Sequence, residues 1–205
     1  KIGAGIEGRL HDIFNHNYNL INLTEGQEDS LNNPITTLGY RNVGEEGNEA
    51  YSKKPYEFAT YVQDKMEYDI MIINAGLRLD YFEPNSNQPV DLKNVTNNTL
   101  YPGANQFEKA DPKFQLSPRL GASFPITDQG IIRFSYGHFF KIPNFENLYR
   151  NSDFLINPSS SVSSIMGNPD LKAEKTVQYE IGLQQVLFPN LVLNFAVYYR
   201  DIRNL

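Results

Sequence analysis

The stretch Leu191-Val192-Leu193-Asn194-Phe195-Ala196-Val197-Tyr198-Tyr199-Arg200 decides the fold class. Its odd positions, Leu191, Leu193, Phe195, Val197 and Tyr199, are apolar or aromatic, and Asn194, Tyr198 and Arg200 stand between them. Side chains on a strand alternate between two faces, so a period of two gives one apolar face and one polar face. Leu193 and Asn194 are neighbours and are therefore assigned to opposite sides, Leu193 to an apolar surrounding and Asn194 to a wet one.

The same rhythm recurs upstream. Over 177–187, Val177, Tyr179, Ile181, Leu183, Gln185 and Leu187 oppose Gln178, Glu180, Gly182 and Gln184. Over 71–82, Met71, Ile73, Ala75, Leu77, Leu79 and Tyr81 oppose Asn74, Arg78 and Asp80. Ile2, Ala4, Ile6 and Leu10 oppose Lys1, Glu7, Arg9 and His11; Phe114, Leu116, Leu120, Ala122 and Phe124 oppose Gln115, Ser117, Arg119 and Ser123. Ile132, Phe134 and Tyr136 oppose Arg133 and Ser135, and a noisier run over 56–66 sets Tyr56, Phe58 and Val62 against Glu57, Gln63 and Lys65. This gives about seven strands of about ten residues, longer than the five or six usual in soluble sheets. Ten residues tilted by about 45° rise roughly 23 Å, close to the apolar band of an outer-membrane barrel. Thr60, Asp64, His138 and Gln185 are the polar exceptions on the apolar faces.

The connections alternate in length. Short turns fall at 67–70, 125–130 and 188–190, and long polar segments at 13–55, 83–113 and 141–173. Loops beyond about fifteen residues are uncommon in compact domains. Here all the long ones fall on one side of the strand meander, as membrane barrels require and sandwiches do not.

Composition excludes several classes. The chain has 205 residues, 40% hydrophobic and 20% charged, which argues against disorder. Cysteine is absent, so disulfide frameworks and thiolate metal sites are out. A net charge of −6 argues against nucleic acid as a partner. No run approaches the length of a membrane helix, a test to which barrel strands are blind. Both ends read as cut: no signal-peptide pattern precedes Lys1, and Leu205 falls within a strand.

Several stretches resemble the barrel of TonB-dependent receptors. Leu116-Ser117-Pro118-Arg119-Leu120-Gly121-Ala122-Ser123-Phe124-Pro125-Ile126-Thr127 resembles the family's strand and turn before a central hairpin. Arg133-Phe134-Ser135-Tyr136-Gly137 then leads to Phe140-Lys141-Ile142-Pro143 and Glu146-Asn147-Leu148-Tyr149, similar to a strand rising into a loop with a proline and an acidic-aromatic motif. Gly167-Asn168-Pro169-Asp170-Leu171-Lys172-Ala173-Glu174, followed by Tyr179-Glu180-Ile181-Gly182, is the most specific match. Tyr198-Tyr199-Arg200-Asp201-Ile202, Tyr61-Val62-Gln63-Asp64-Lys65 and Ala75-Gly76-Leu77-Arg78-Leu79-Asp80 resemble further family strands. The motif residues taken from this resemblance are Pro118, Arg119, Pro143, Asn168, Pro169, Leu171 and Glu174. The resemblance implies a barrel of about 22 strands around an N-terminal plug. It implies capture of an iron chelate, a cobalamin or a glycan from outside, and energy supplied by the inner-membrane TonB system through the plug. Residues 1–205 would then be a part of the barrel, without plug or either barrel end.

Other motifs yield to plainer readings. Gly3-Ala4-Gly5-Ile6-Glu7-Gly8 matches G-x-G-x-x-G but lies inside an alternating strand with no helix after it, so nucleotide binding is unsupported. Gly3 and Gly5 are expected to leave room on the polar face for something packed against the wall. His11, Asp12 and His16 match no metal spacing and read as a solvated rim. Glu25, Glu28, Asp29, Glu45, Glu46 and Glu49 read as a solvated acidic loop, and the Asn22, Asn94 and Asn97 sequons as chance in Asn-rich segments. No nucleophile elbow is present, so no catalytic residue, metal ligand or cofactor is expected and the chain does not read as an enzyme.

The expectation is an all-β chain, part of a transmembrane antiparallel up-and-down β-barrel in a bacterial outer membrane. Its partners would be outer-membrane lipid, its own plug domain, the TonB complex and an extracellular nutrient. Arg78, Asp80, Arg119, Arg133, Glu180 and Arg200 are the expected lumen-facing residues. The rival is a secreted β-sandwich or propeller that binds carbohydrate, and the two differ in what the apolar face meets.

Overall fold

The structure is a computed structural model that describes residues 1–22, 24, 26–27, 29–34, 36–40, 48–91, 106–150 and 166–204. Along the chain the strands are β1 (Ile2–Leu10), β2 (Ile13–Tyr18), β3 (Ile21–Asn22), β4 (Leu38–Gly39), β5 (Asn48–Lys53), β6 (Tyr56–Tyr68), β7 (Met71–Glu83), β8 (Asn87–Pro89), β9 (Phe107–Lys109), β10 (Lys113–Thr127), β11 (Gly130–Lys141), β12 (Glu174–Phe188) and β13 (Leu191–Arg203). A single-turn helix, α1 (Phe145–Tyr149), lies between β11 and β12.

Seven strands form one antiparallel sheet in the order β1-β6-β7-β10-β11-β12-β13, each paired with the next long strand of the chain. This is the expected up-and-down meander. Asp69-Ile70, Asp128-Gln129 and Pro189-Asn190 turn the chain at one end, and every long connection lies at the other. None of the six turn residues has positive φ, so the mirror-image turns usual in two-residue hairpins are not used. Two of the hairpins absorb the mismatch in β-bulges, at 125–127 and 186–188. The second bulge corrects the end of the run over 177–187 and the turn at 188–190: the alternation breaks at Leu187, and Phe188 belongs to β12 and stands opposite Leu191.

Register confirms the two faces. The row Ile2, Asp64, Ala75, Leu120, Tyr136, Tyr179, Tyr199 crosses every strand on the apolar side. It starts near the short turn in β7 and ends near the loop end of β13, the stagger of tilted barrel strands. Among the described residues no second sheet covers that side, and Ile6 (78%) and Phe114 (70%) are largely exposed. The sandwich and propeller readings are therefore set aside. Thr60, the exception nearest mid-strand, donates its hydroxyl to the Gly5 carbonyl at 3.3 Å, and His138 pairs with the Tyr136 hydroxyl at 2.6 Å. Hydrogen bonds of this kind lower the cost of a polar group facing hydrocarbon.

The long segments are more ordered than a plain loop reading allows. β2 and β5 extend the first one as a ribbon, and β3 with β4, and β8 with β9, make smaller pairs. The buried cluster sits at the loop end, not behind the sheet: Tyr51, Phe82, Leu148 and Tyr149, with Ile13, Phe140, Ile142 and Phe145 against it. β11 reaches this cluster because its ladder to β10 stops at Arg119↔Gly137, beyond which it pairs only with β12. Pro118, which has no N–H to give, lies next to that break.

Candidate functional site

The polar face of the sheet is the candidate site. Arg78 and Asp80 on β7, Arg119 on β10, Arg133 on β11, Glu180 on β12 and Arg200 on β13 all fall on the face opposite the apolar row. Register separates them into two groups that strand parity alone does not reveal. Toward β1, the Arg78 guanidinium donates to Asp80 Oδ1 at 2.7 Å and to Glu7 Oε2 at 3.3 Å, and Arg9 lies 2.5 Å from Glu7. Here the cations are neutralised by the wall's own acids.

Toward β13 they are not. Arg119 lies over the Phe139 ring at 5.1 Å, Arg133 bonds the Gln184 carboxamide, and Arg200 donates to Gln178 Oε1 at 2.8 Å while lying 4.9 Å from the Tyr198 ring centre. Among the described residues none of these three guanidinium groups has a carboxylate partner. Glu180 accepts from Gln178 Nε2 at 3.2 Å. Between the groups lies a hollow of about 730 Å³, lined in part by Gly3, Tyr61, Gly76, Arg119, Gly121 and Phe139. Glycines lower the floor of that hollow. At Gly5 the space is filled by the wall itself, since the Tyr61 ring opposite lies over it and a Cβ would come within 2.6 Å.

At the loop end a smaller cavity of about 260 Å³ is lined by Glu7, Arg9, Glu57, Arg78 and Asp80, with Phe140–Ile142 beside them. His11 is not simply solvated: its Nε2 meets Glu57 Oε1 at 2.6 Å and its ring meets Phe145 edge-on at 5.0 Å. His16 bonds Asn48 Oδ1 at 2.9 Å and Asp12 lies 3.5 Å from Lys54, so the three side chains have separate partners. Glu49 lies 3.5 Å from Arg150, and Asp29 organises its own turn by accepting from the Asn33 and Leu31 amides. Those bonds, Asn33's first, hold the Asp29 carboxyl below its ordinary value. Glu25, Glu28, Glu45, Glu46, Asn94 and Asn97 lie outside the described residues. Glu7, Arg9, Glu57, Gln178 and Gln184 are functional candidates that the parity reading passed over, although each stands on the polar side of its strand.

The motif residues build the rim. Gly167 donates to the Arg150 carbonyl at 2.7 Å and Asn168 to the Asn147 carbonyl at 2.9 Å. A Cβ at Gly167 would sit 2.8 Å from three backbone atoms of residues 148–150, so only glycine fits. Asn168 Oδ1 accepts from the Asp170 amide at 2.8 Å, and Leu171 N donates to the Asn168 carbonyl at 3.1 Å, while Pro169 is fully buried. Asp170 takes up Lys113 at the start of β10, and Glu174 lies 3.4 Å from Lys141. Pro143 precedes α1, whose Tyr149 hydroxyl donates to the Pro84 carbonyl at 2.8 Å. Burial, then the charge of Glu83, pushes the Tyr149 phenol well above its ordinary value. These residues clip the third long segment to the tops of β7 and β10.

An open, staggered antiparallel sheet with an apolar outer face, a charged inner face and its long connections at one end defines a wall segment of an outer-membrane β-barrel. The family model described as "TonB dependent receptor-like, beta-barrel" matches residues 4–205, and the chain belongs to that family. The solved structures it is similar to include the siderophore receptor PiuA from Acinetobacter baumannii, at 18% identity and a TM-score of 0.50 over 96% of this chain and 28% of that one. They include the ferric-catecholate import receptor Fiu from K12 E. coli, at 18% identity and a TM-score of 0.47 over 98% and 29%. They also include the ferric enterobactin receptor PfeA from Pseudomonas aeruginosa, at 16% identity and a TM-score of 0.43 over 98% and 32%. The chain thus spans less than a third of the length of these receptors. No curated protein sequence matches it.

Proposed function

We propose that this chain is part of the wall of a receptor that takes up an anionic iron chelate, with a plug domain inside the barrel and energy supplied by the TonB complex through that plug. The observation that carries the reading is the charge pattern of the inner face. Among the described residues Arg119, Arg133 and Arg200 hold no carboxylate, and two of them lie against aromatic rings. Guanidinium groups without an acid suit a negatively charged chelate, and rings beside them suit a flat one. A neutral glycan would call for amides and aromatic platforms with the cations already paired, as they are around Glu7 and Asp80. The siderophore receptor PiuA, as a structural neighbour, agrees with this reading.

The test is uptake by cells carrying the full-length receptor under iron limitation, with radiolabelled ferric chelates, cobalamin and oligosaccharides offered separately. Uptake of an anionic ferric chelate, abolished when the proton gradient is collapsed, is expected. Replacing Arg119, Arg133 and Arg200 together by Gln should weaken half-saturation by roughly tenfold or more, as loss of charge-assisted hydrogen bonds does. Uptake of cobalamin or glycan but of no iron chelate would overturn the assignment.

A further inference from the structure

Four neighbours decide what Arg119 can pair with. On the polar side of β10 they are Ser117 and Gly121 along the strand, Gly76 across on β7 and Gly137 across on β11. Three glycines and a serine offer a guanidinium neither an acid nor an amide. Arg78, one row nearer the loop end, shows the contrast: its neighbours include Asp80, whose Oδ1 accepts from the Arg78 Nε at 2.7 Å. β10 has a strand on either side, so the surroundings of Arg119 are those of the sheet's interior and not of its edge.

What holds Arg119 is a ring. Its rung to Gly137 is the last between β10 and β11, and Phe139, two residues further on, has no partner on β10. Phe139 folds back over Gly137, where a Cβ would meet its ring at 3.3 Å and the Arg119 Cγ at 3.7 Å. Ring and arginine stem thus share the space the glycine leaves, and the guanidinium carbon lies 5.1 Å from the ring centre. A guanidinium over a ring face is attracted by the ring quadrupole and keeps its N–H edge free. The stack lines the hollow of about 730 Å³, a size within the range of small-molecule sites. Gln63, Asn74 and Ser135 line it too, and their side chains have no hydrogen-bond partner among the described residues. Of Arg119, Arg133 and Arg200, Arg119 alone lines this hollow.

We propose that this hollow seats the anionic chelate, with Arg119 bound to a pair of its negative oxygens and with Phe139 and Gly137 as the residues that position Arg119. The assignment rests on the reading of this chain as part of a receptor for an anionic iron chelate, and it narrows that reading: the three arginines do not act alike, and Arg119 carries most of the charge recognition. The parallel N–H groups of a guanidinium match a pair of oxygens, as in a carboxylate. A guanidinium whose direction is set before the ligand arrives loses less freedom on binding. Gln63, Asn74 and Ser135 take the neutral donors and acceptors of the ligand body. Gly137 acts without touching the ligand, because a side chain there pushes the ring away from the guanidinium.

The experiment measures equilibrium binding of two anionic ferric chelates, a tris-catecholate and a polycarboxylate, to the full-length receptor in lipid bilayers. The ligand-free melting temperature is recorded beside it. For the chelate that binds, Arg119→Gln should weaken affinity by about tenfold and Arg133→Gln by less than about threefold. Phe139→Leu and Gly137→Ala should each weaken it by about three- to fivefold through loss of the ring contact, while Phe139→Tyr, which keeps the ring, binds as the parent does. In the Arg119→Gln background Phe139→Leu should have no further effect. Arg119→Gln and Phe139→Leu should melt as the parent does. Unchanged binding by Arg119→Gln, or losses that add in the double variant, would overturn the proposal and leave the uptake reading standing. Unchanged binding with a lowered melting temperature would also overturn it, and would make the stack a brace for the plug. Failure of the parent to bind either chelate would overturn the uptake reading, and the seat with it.

Discussion

Gly5 and Tyr61 show how single residues shape the wall. They are directly opposed across β1 and β6, and the Tyr61 ring occupies the space a side chain at position 5 would need. Gly5→Ala forces that ring off the glycine and should cost about 1–3 kcal/mol, as overpacking does. Tyr61→Ala alone loses ring packing, but in its background Gly5→Ala should be nearly silent. Urea unfolding of the lipid-reconstituted receptor for the four combinations should give a coupling of about 1 kcal/mol or more. Additive losses would mean that the ring does not rest on Gly5. Gly3 and Gly5 were expected to make room for another body; at Gly5 the wall fills the room itself, a pairing that needs the register and not only the alternation.

At the scale of elements, the clip between residues 166–173 and α1 is the part most open to test. Gly167→Ala would drive a Cβ into the backbone of residues 148–150 and should release α1 from the rim. Hydrogen exchange at residues 145–150 should then speed up while β6 and β7 remain protected. Tyr149→Phe removes the donor to the Pro84 carbonyl and leaves it buried, at a cost of about 1–3 kcal/mol. The Tyr149 phenol also sets a pH dependence. Its folded value is raised above the ordinary 10.0 by burial, so its contribution is complete below pH 10 and is lost as pH rises beyond it. Denaturation midpoints between pH 9 and pH 12 should therefore fall less steeply in Tyr149→Phe than in the parent.

The elements also show what a sequence makes legible. All seven long strands can be read from alternation because each of their faces meets a different medium. Their loop ends run on by one to five residues past the legible part in β7, β10, β11, β12 and β13, as at Lys141 and Arg203, because rim residues need not be apolar. α1 is hidden for another reason: five residues with no side-chain N-cap bond form a helix only through the packing of Leu148 and Tyr149. On the polar face, parity puts Arg78 and Arg200 on one side of the sheet, but their partners lie elsewhere in the chain. Glu7 is 71 residues from Arg78, and Gln178 is 22 from Arg200. Only the register brings those pairs together.

The whole molecule rests on an apolar face that nothing among the described residues covers. Its buried cluster is at the rim, and Ile6, Leu116, Ile181 and Val197 are exposed along the strands. Burial of such a face in lipid is what gives the sheet its stability, and an Arg there near the midplane costs about 2–4 kcal/mol. The direct measurement is labelling of Leu193→Cys and Asn194→Cys, each in the full-length receptor in membranes, by a thiol reagent confined to the lipid phase. Leu193 pairs with Gln185 on the apolar side and Asn194 with Gln184 on the polar side. The account predicts that position 193 is labelled and position 194 is not. Failure to label position 193 in the folded receptor, or equal labelling of both, would contradict it.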